Sequence, residues 1–308
     1  MTFALAGRIA ASQRWADPLA KKLQPLIRRA VRPDPVRNFL DGVWLGAPLH
    51  PALTDVPVGT WTAALALDIA CLFGREETLG PGADRALAMG TLSAVPAVVT
   101  GLNDLRDLIG HSRRIAMVHA LLNIAGLSLS AASLFYRRNG RRDLARGLSG
   151  TGYLISATAA HLGGELSFGL GIRVNRTLGQ TPPKDFVAVL EEAELSGDEL
   201  RRVDVDGVPV LLARTSGGEL CALANTCTHL GGPLHEGSRD GDGVVCPWHG
   251  SCFDLGTGAV LRGPAVFPQA RYEVRTHGGM IEVGPPDADG AELPEIANLQ
   301  SRSRRRQA

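Results

Sequence analysis

Two stretches, "CTHLGGPL" (227–234) and "CPWHGSCFD" (246–254), decide how this chain is read. The first carries a cysteine and a histidine two positions apart, the second a cysteine and a histidine three apart. Sixteen residues separate His229 from Cys246. Two thiolates and two imidazoles can bind zinc or an iron–sulfur cluster. A zinc finger usually pairs two cysteines and then two histidines. Here each loop supplies one of each, which suits a two-iron rhomb entered by two loops, with cysteines on one iron and histidines on the other. Gly231, Gly232 and Gly250 allow close backbone approach, Pro247 stiffens the second loop, and "GPA" (263–265), centred on Pro264, offers a third loop to cover the group.

Working outward, "RRVDVDGVPVLLARTSGGELCALANTC" reads as short alternating strands separated by glycine turns, and "RYEVRTHGGMIEV" as a closing hairpin. The formal net charge of +1 argues against a nucleic-acid binder. Five cysteines are too few for a disulfide scaffold, and four of them lie in this one region. Cys71 reads as a small buried hydrophobe and Cys252 as a packed free thiol. A Cys252–Cys221 disulfide suits the cytosol poorly.

The apolar residues crowd into the first half. Four stretches (51–73, 86–102, 115–136 and 147–172) each approach the roughly 20 residues a helix needs to cross a bilayer. They are rich in Gly, Ala, Ser and Thr, which let membrane helices approach closely. The expected fold is therefore two domains, an α-helical bundle of four transmembrane helices followed by an all-β domain. The expected divisions are an amphipathic N-terminal segment (1–49), the bundle (50–172), a polar hinge (173–184), the β domain (185–284) and a disordered tail (285–308) ending in "RSRRR". Trp15, Leu19, Leu23, Leu26, Ile27 and Ala30 form the apolar face of an N-terminal helix suited to a membrane surface. No secretory signal is visible, so both termini and the β domain are expected on the cytoplasmic side of a bacterial inner membrane.

Polar residues within the helices gather toward one side of the membrane. His119 has Asn123 one turn on, His161 has Glu165 one turn on, and His50 lies at the same level. Ionisable residues in a membrane are functional hypotheses by default. Two histidines on neighbouring helices suit a b-type haem; a histidine–carboxylate group suits a quinone or a proton path; the structural alternative is polar residues that satisfy one another.

Residues 185–284 resemble a Rieske [2Fe–2S] domain, in the pattern C-x-H-x16-C-x2-H followed by "HGS-x-FD" and "GTG…GP". The resemblance implies one [2Fe–2S] cluster, with Cys227 and Cys246 on the buried iron and His229 and His249 on the solvent-side iron. Thr228, Leu230 and Trp248 would form the surrounding shell. The Rieske proteins of cytochrome bc complexes carry an extra cysteine in each loop, joined as a disulfide; here those places are Gly232 and Trp248, so that disulfide is absent, as it is in ring-hydroxylating dioxygenase ferredoxins. Ser251 matches a serine that donates to a bridging sulfide, while Phe253 replaces a tyrosine donor. Fewer donors imply a potential nearer the ferredoxins. "LDGVWLGAPLHPALTDVPVGTW" (40–61) resembles the opening of a family of small bacterial four-helix membrane domains without an assigned activity. No flavin, nicotinamide or 2-His-1-carboxylate pattern is visible. The implied function is a membrane-anchored carrier moving single electrons between a reductase or quinol and an acceptor. The alternatives are a subunit of a membrane oxidoreductase and a redox sensor.

Overall fold

A computed structural model of the chain describes residues 3–287, with side chains from residue 6. The "RSRRR" tail lies outside the described residues. The chain divides into two compact units, residues 1–42 with 47–172, and residues 43–46 with the chain from Arg173 onward.

The first unit is helical: α1 (Phe3–Ser12), α2 (Ala16–Ala30), α3 (Asp34–Asp41), α4 (Leu49–Ala70), α5 (Glu76–Leu105), α6 (Gly110–Arg138) and α7 (Arg142–Gly164). Chain reversal between α4 and α5 falls at Phe73 and Gly74, where the helical backbone breaks. Two stretches are long and apolar enough to cross a membrane, Leu49–Leu105 and Gly110–Arg138. The first is the α4–α5 hairpin as a whole. α7 is not among them, because the Gly, Ser and Thr residues and His161 of its uncharged stretch 147–164 keep its mean hydropathy low. By composition the α4–α5 hairpin and α6 are candidates to cross a membrane, so the four crossings expected from the sequence are not all marked.

The N-terminal segment is three helices rather than one amphipathic helix. α2 buries Ala16, Ala20 and Gln24, with Leu23 and Ile27 half-buried against the same core. Trp15, Leu19 and Leu26 stay exposed. The expected apolar face is split because small residues at i and i+4, Ala16 and Ala20, let α2 approach the bundle closely. Gln24 Nε2 then donates to the carbonyls of Leu105 (2.9 Å) and Leu108 (2.8 Å), which close the end of α5.

Packing in the four long helices is small-in and large-out. Gly90, Ala94, Gly126, Ser130, Gly152 and Ser156 are buried. Leu92, Phe135 and Leu154 are more than 60% exposed. One end of the bundle is held by charge: Arg137 is buried, bonded to Asp68 and, at 2.7 Å, to Asp84. Arg142 and Arg146 extend that network to Asp84, Asp68 and Glu76.

The second unit is antiparallel β. Its strands are β1 (Val187–Glu191), β2 (Arg201–Val205), β3 (Val208–Arg214), β4 (Leu220–Ala224), β5 (Ser238–Asp240), β6 (Gly243–Val245), β7 (Cys252–Asp254), β8 (Val260–Arg262), β9 (Tyr272–His277) and β10 (Met280–Pro286). They form three sheets, ordered β1-β10-β9, β2-β3-β4 and β5-β6-β7-β8. β3 explains the layering. Its apolar run "VPVLLAR" is buried on both faces. Val208, Val210 and Leu212 join Ile281, Val283 and Tyr272 in one core. Leu211 and Ala213 join Val244, Phe253, Cys227 and Cys246 in the other. Cys227 and Cys246 thus sit in the second core, beneath β3.

Arg137→Ala would leave the Asp68 carboxylate buried without its main partner, and breaking such a pair costs about 3–5 kcal/mol. Denaturation of the detergent-solubilised chain, followed by helical circular dichroism, should show this loss in the helical unit and little change in the β unit.

Candidate metal centre

Loop 227–234 leaves the end of β4, and loop 246–251 joins β6 to β7. The two loops are the same turn built twice. Cys227 N–H donates to Gly232 O at 2.8 Å, and Gly231 N–H to Cys227 O at 2.9 Å. Cys246 N–H donates to Ser251 O at 2.8 Å, and Gly250 N–H to Cys246 O at 3.0 Å. The fourth residue after each cysteine has positive φ, Gly231 at 85° and Gly250 at 73°. A side chain there would force the left-handed region, which only glycine enters at little cost.

This turn aims amide hydrogens at sulfur. Cys227 Sγ accepts from the N–H groups of His229 and Leu230. Cys246 Sγ accepts from those of Trp248 and His249. Donors two and three residues on from each cysteine favour the thiolate, the metal-binding form. The two sulfurs also share a hydrogen bond, which pulls the Cys246 thiol down to about 7 and pushes that of Cys227 up.

Both histidines leave the same turns. Their ring centres are 5.1 Å apart with planes at 89°. Two imidazoles on one tetrahedral ion, at metal–nitrogen distances of about 2.0–2.1 Å, have ring centres about 5 Å apart. His229 is buried and His249 half-buried. Among the described residues, no three His, Cys, Asp or Glu side chains converge as ligands for one ion; the four donors here fall into a sulfur pair and an imidazole pair. A Cβ at Gly232 would lie 2.7 Å from Cys246 Sγ and 3.1 Å from Trp248 Cγ, so this position is closed to larger residues. A two-iron, two-sulfide group fits this donor set and this cradle.

Of the expected shell, Thr228 is buried, its hydroxyl donating to Phe267 O at 2.8 Å. Ser251 is buried and accepts from Ala265 N–H at 3.0 Å, which ties the 263–265 loop to the second turn and leaves the serine hydrogen to donate. Phe253 and Pro264 are buried. Leu230 is half-buried. Trp248 is 55% exposed, beside an exposed Pro247, with one edge of its ring against Gly232 and its ring centre 6.4 Å from that of His249. Cys221 and Cys252 are buried free thiols, and burial pushes the Cys221 thiol up to about 11.

Sequence reasoning missed the groups that lock the loops. Arg173 Nη1 donates to Pro264 O at 2.7 Å, Arg176 N–H to Thr228 O at 3.1 Å, and Gln180 Nε2 to Thr226 Oγ1 at 2.9 Å. Residues 173–184, expected as a polar hinge, are therefore bonded to the loops they precede. Gln269, fully buried, donates to Thr226 O at 3.0 Å. Nothing in the spacing of these residues marks them. In the helical unit the structure brings His50 against His119, with ring centres 6.3 Å apart. The sequence pairing of His119 with His161 overlooked this contact. Glu165 turns toward α1, where a Cβ at Gly7 would lie 3.2 Å from its Cγ.

Residues 185–273 match the family model of the Rieske [2Fe-2S] domain. Residues 46–176 match a family described as predicted membrane protein (DUF2231). Ferredoxin CarAc of Metapseudomonas resinovorans is 32% identical over 98 residues, 32% of this chain and 92% of that protein. Human apoptosis-inducing factor 3 is 35% identical over 95 residues, 30% of this chain; the chain spans only 16% of that relative. The solved ferredoxin of carbazole 1,9a-dioxygenase from Nocardioides aromaticivorans IC177 is 32% identical, covers 33% of this chain and 99% of its own, and superposes with a TM-score of 0.31. This chain belongs to the Rieske [2Fe–2S] family. It joins that ferredoxin-like electron-transfer domain to a predicted membrane domain.

Gly231→Ala and Gly250→Ala should each cost about 1–2 kcal/mol, the penalty for a left-handed residue with a Cβ. Urea titration of the full chain, read by tryptophan fluorescence, checks this; equal stability to the parent would contradict the turn assignment.

Proposed function

We propose that this chain is a membrane-anchored one-electron carrier. Cys227 and Cys246 hold one iron of a [2Fe–2S] cluster, and His229 and His249 hold the other. The observation that carries the reading is the doubled turn, which presents one sulfur and one imidazole from each loop and points two amide hydrogens at each sulfur. The bound cluster supplies a one-electron couple. The residues around it set where and how easily that electron moves. Ser251 donates toward the group, while Phe253 offers no donor. Thr228 and Leu230 limit water. His249, next to exposed Trp248 and Pro247, is the point of closest approach for a partner protein.

Membrane anchoring rests on the inverted packing of the four long helices, with small residues inside and large apolar residues outside. In this reading all four helices (50–172) span the bilayer, α7 as the least apolar. Residues 185–284 are the redox domain, and both termini lie on the cytoplasmic face of a bacterial inner membrane. The partners are a reductase or quinol as donor and a separate acceptor.

The membrane fraction of cells expressing the chain should keep the protein through a carbonate wash. On dithionite reduction it should give a Rieske-type EPR signal integrating to one spin per chain. His229→Ala should abolish the signal while the protein stays in the membrane; a full signal in that variant would overturn the ligand assignment. Ser251→Ala should lower the midpoint potential. Loss of one hydrogen bond to the more negative reduced state, about 0.5–1.5 kcal/mol, corresponds to roughly 20–60 mV for one electron. Redox titration by EPR reads that shift.

A further inference from the structure

The helical unit is one helical hairpin built twice. Shifted by 69 positions, buried Trp61, Ala64 and Asp68 of α4 fall on buried Ser130, Ser133 and Arg137 of α6. Shifted by 62, buried Gly90, Ala94 and Ala97 of α5 fall on buried Gly152, Ser156 and Ala159 of α7. Helical periodicity alone can align buried faces, but it does not reproduce contacts. The same two shifts carry His50 to His119, Ala97 to Ala159 and Gly101 to Gly163, and the contacts repeat. His50 Nδ1 bonds Ala97 O at 2.8 Å, and His119 Nδ1 bonds Ala159 O at 2.7 Å. A Cβ at Gly101 would lie 2.8 Å from His50 Cε1, and one at Gly163 3.1 Å from His119 Cε1. Each ring rests in the notch of a glycine and is pinned to the carbonyl one turn earlier. Parallel repeats of this kind are related by a pseudo-two-fold axis, and ligand sites form where the repeats meet.

At that meeting the two rings stand 6.3 Å apart with planes at 88°. A carbonyl oxygen only accepts, so each Nδ1 carries the proton and each Nε2 presents a lone pair. Asn123 Nδ2, donating to His119 Nε2 at 3.2 Å, marks that atom as an acceptor. Metal-bound histidines are held in this way, one nitrogen tied to a carbonyl and the other on the metal, which at His119 would take the place of the Asn123 amide. Two imidazoles on opposite sides of one metal, at about 2.0–2.1 Å each, have ring centres about 6 Å apart.

The other end of the bundle shows what a purely structural contact between the repeats looks like. There the equivalent positions 68 and 137 have become Asp and Arg, and the two repeats attract directly. At the histidine layer both copies carry the same side chain. Two imidazoles that each present an acceptor nitrogen make no hydrogen bond to one another; they become complementary when a cation lies between them. We propose that His50 and His119 ligate one transition-metal centre on the axis between the hairpins. His50 and His119 supply two donors, and the other positions are filled by water on a bare ion or by the macrocycle of a haem.

The test uses the full chain purified in detergent, as isolated and after incubation with haem, Fe(II), Cu(I) or Zn(II). Metal content is read by mass spectrometry and haem by its optical bands. The parent chain and a His111→Ala control should bind one metal beyond the two irons of the cluster. His50→Ala and His119→Ala should lose it and keep the cluster's EPR signal. Sharp visible bands would identify haem as the source, and metal without bands a bare ion. A parent chain that takes up none of the four, or equal uptake by both variants, would overturn the proposal. Absence of the cluster signal with the extra metal present would instead count against the carrier reading alone.

Discussion

Everything in the β unit follows from what a buried thiolate requires. A sulfur carrying charge inside an apolar core needs hydrogen-bond donors, and side chains are too mobile to supply them reliably. The chain supplies backbone amides instead. It folds each cysteine into a turn whose next residues point their N–H groups back at the sulfur. That turn demands a glycine four residues on, and its closure places a histidine two or three residues on at the rim. The glycine placement and the amide hydrogens turned toward each sulfur are consequences of one local geometry used twice.

The rest of the domain holds the two turns in register. β3 divides two cores and lends one face to the cysteines. The 263–265 loop closes from the side through Ser251 and Ala265. Residues 173–180 close from another through Arg173, Arg176 and Gln180. A rigid cradle suits a carrier, because a centre that moves little between oxidation states exchanges electrons with little reorganisation. Trp248, left outside, becomes part of the surface a partner would meet.

Legibility in the sequence differed between the two units for a physical reason. Cysteine, histidine and positive-φ glycine carry strong local rules, so the two Cys–His loops stood out directly. The residues that fasten them, Arg173, Gln180 and Gln269, act through side chains meeting distant carbonyls, and no spacing rule encodes that. In the helices, apolar content was legible but partnership was not. Small-residue helices pack by shape, so the pairing of His50 with His119 and of Asp68 with Arg137 emerged only with the fold. The N-terminal helix misled because α2 uses alanines, not its large apolar face, to reach the bundle.

The central claim is that the cluster has two nitrogen ligands on one iron. Pulsed EPR of the dithionite-reduced full chain, with electron–nuclear double resonance on 15N-histidine-labelled protein, measures it most directly. The account predicts two strongly coupled histidine nitrogens, one lost with each of the changes His229→Ala and His249→Ala if any cluster survives them. A reduced centre without histidine nitrogen coupling, or a chain that binds zinc and gives no signal at all, would contradict it.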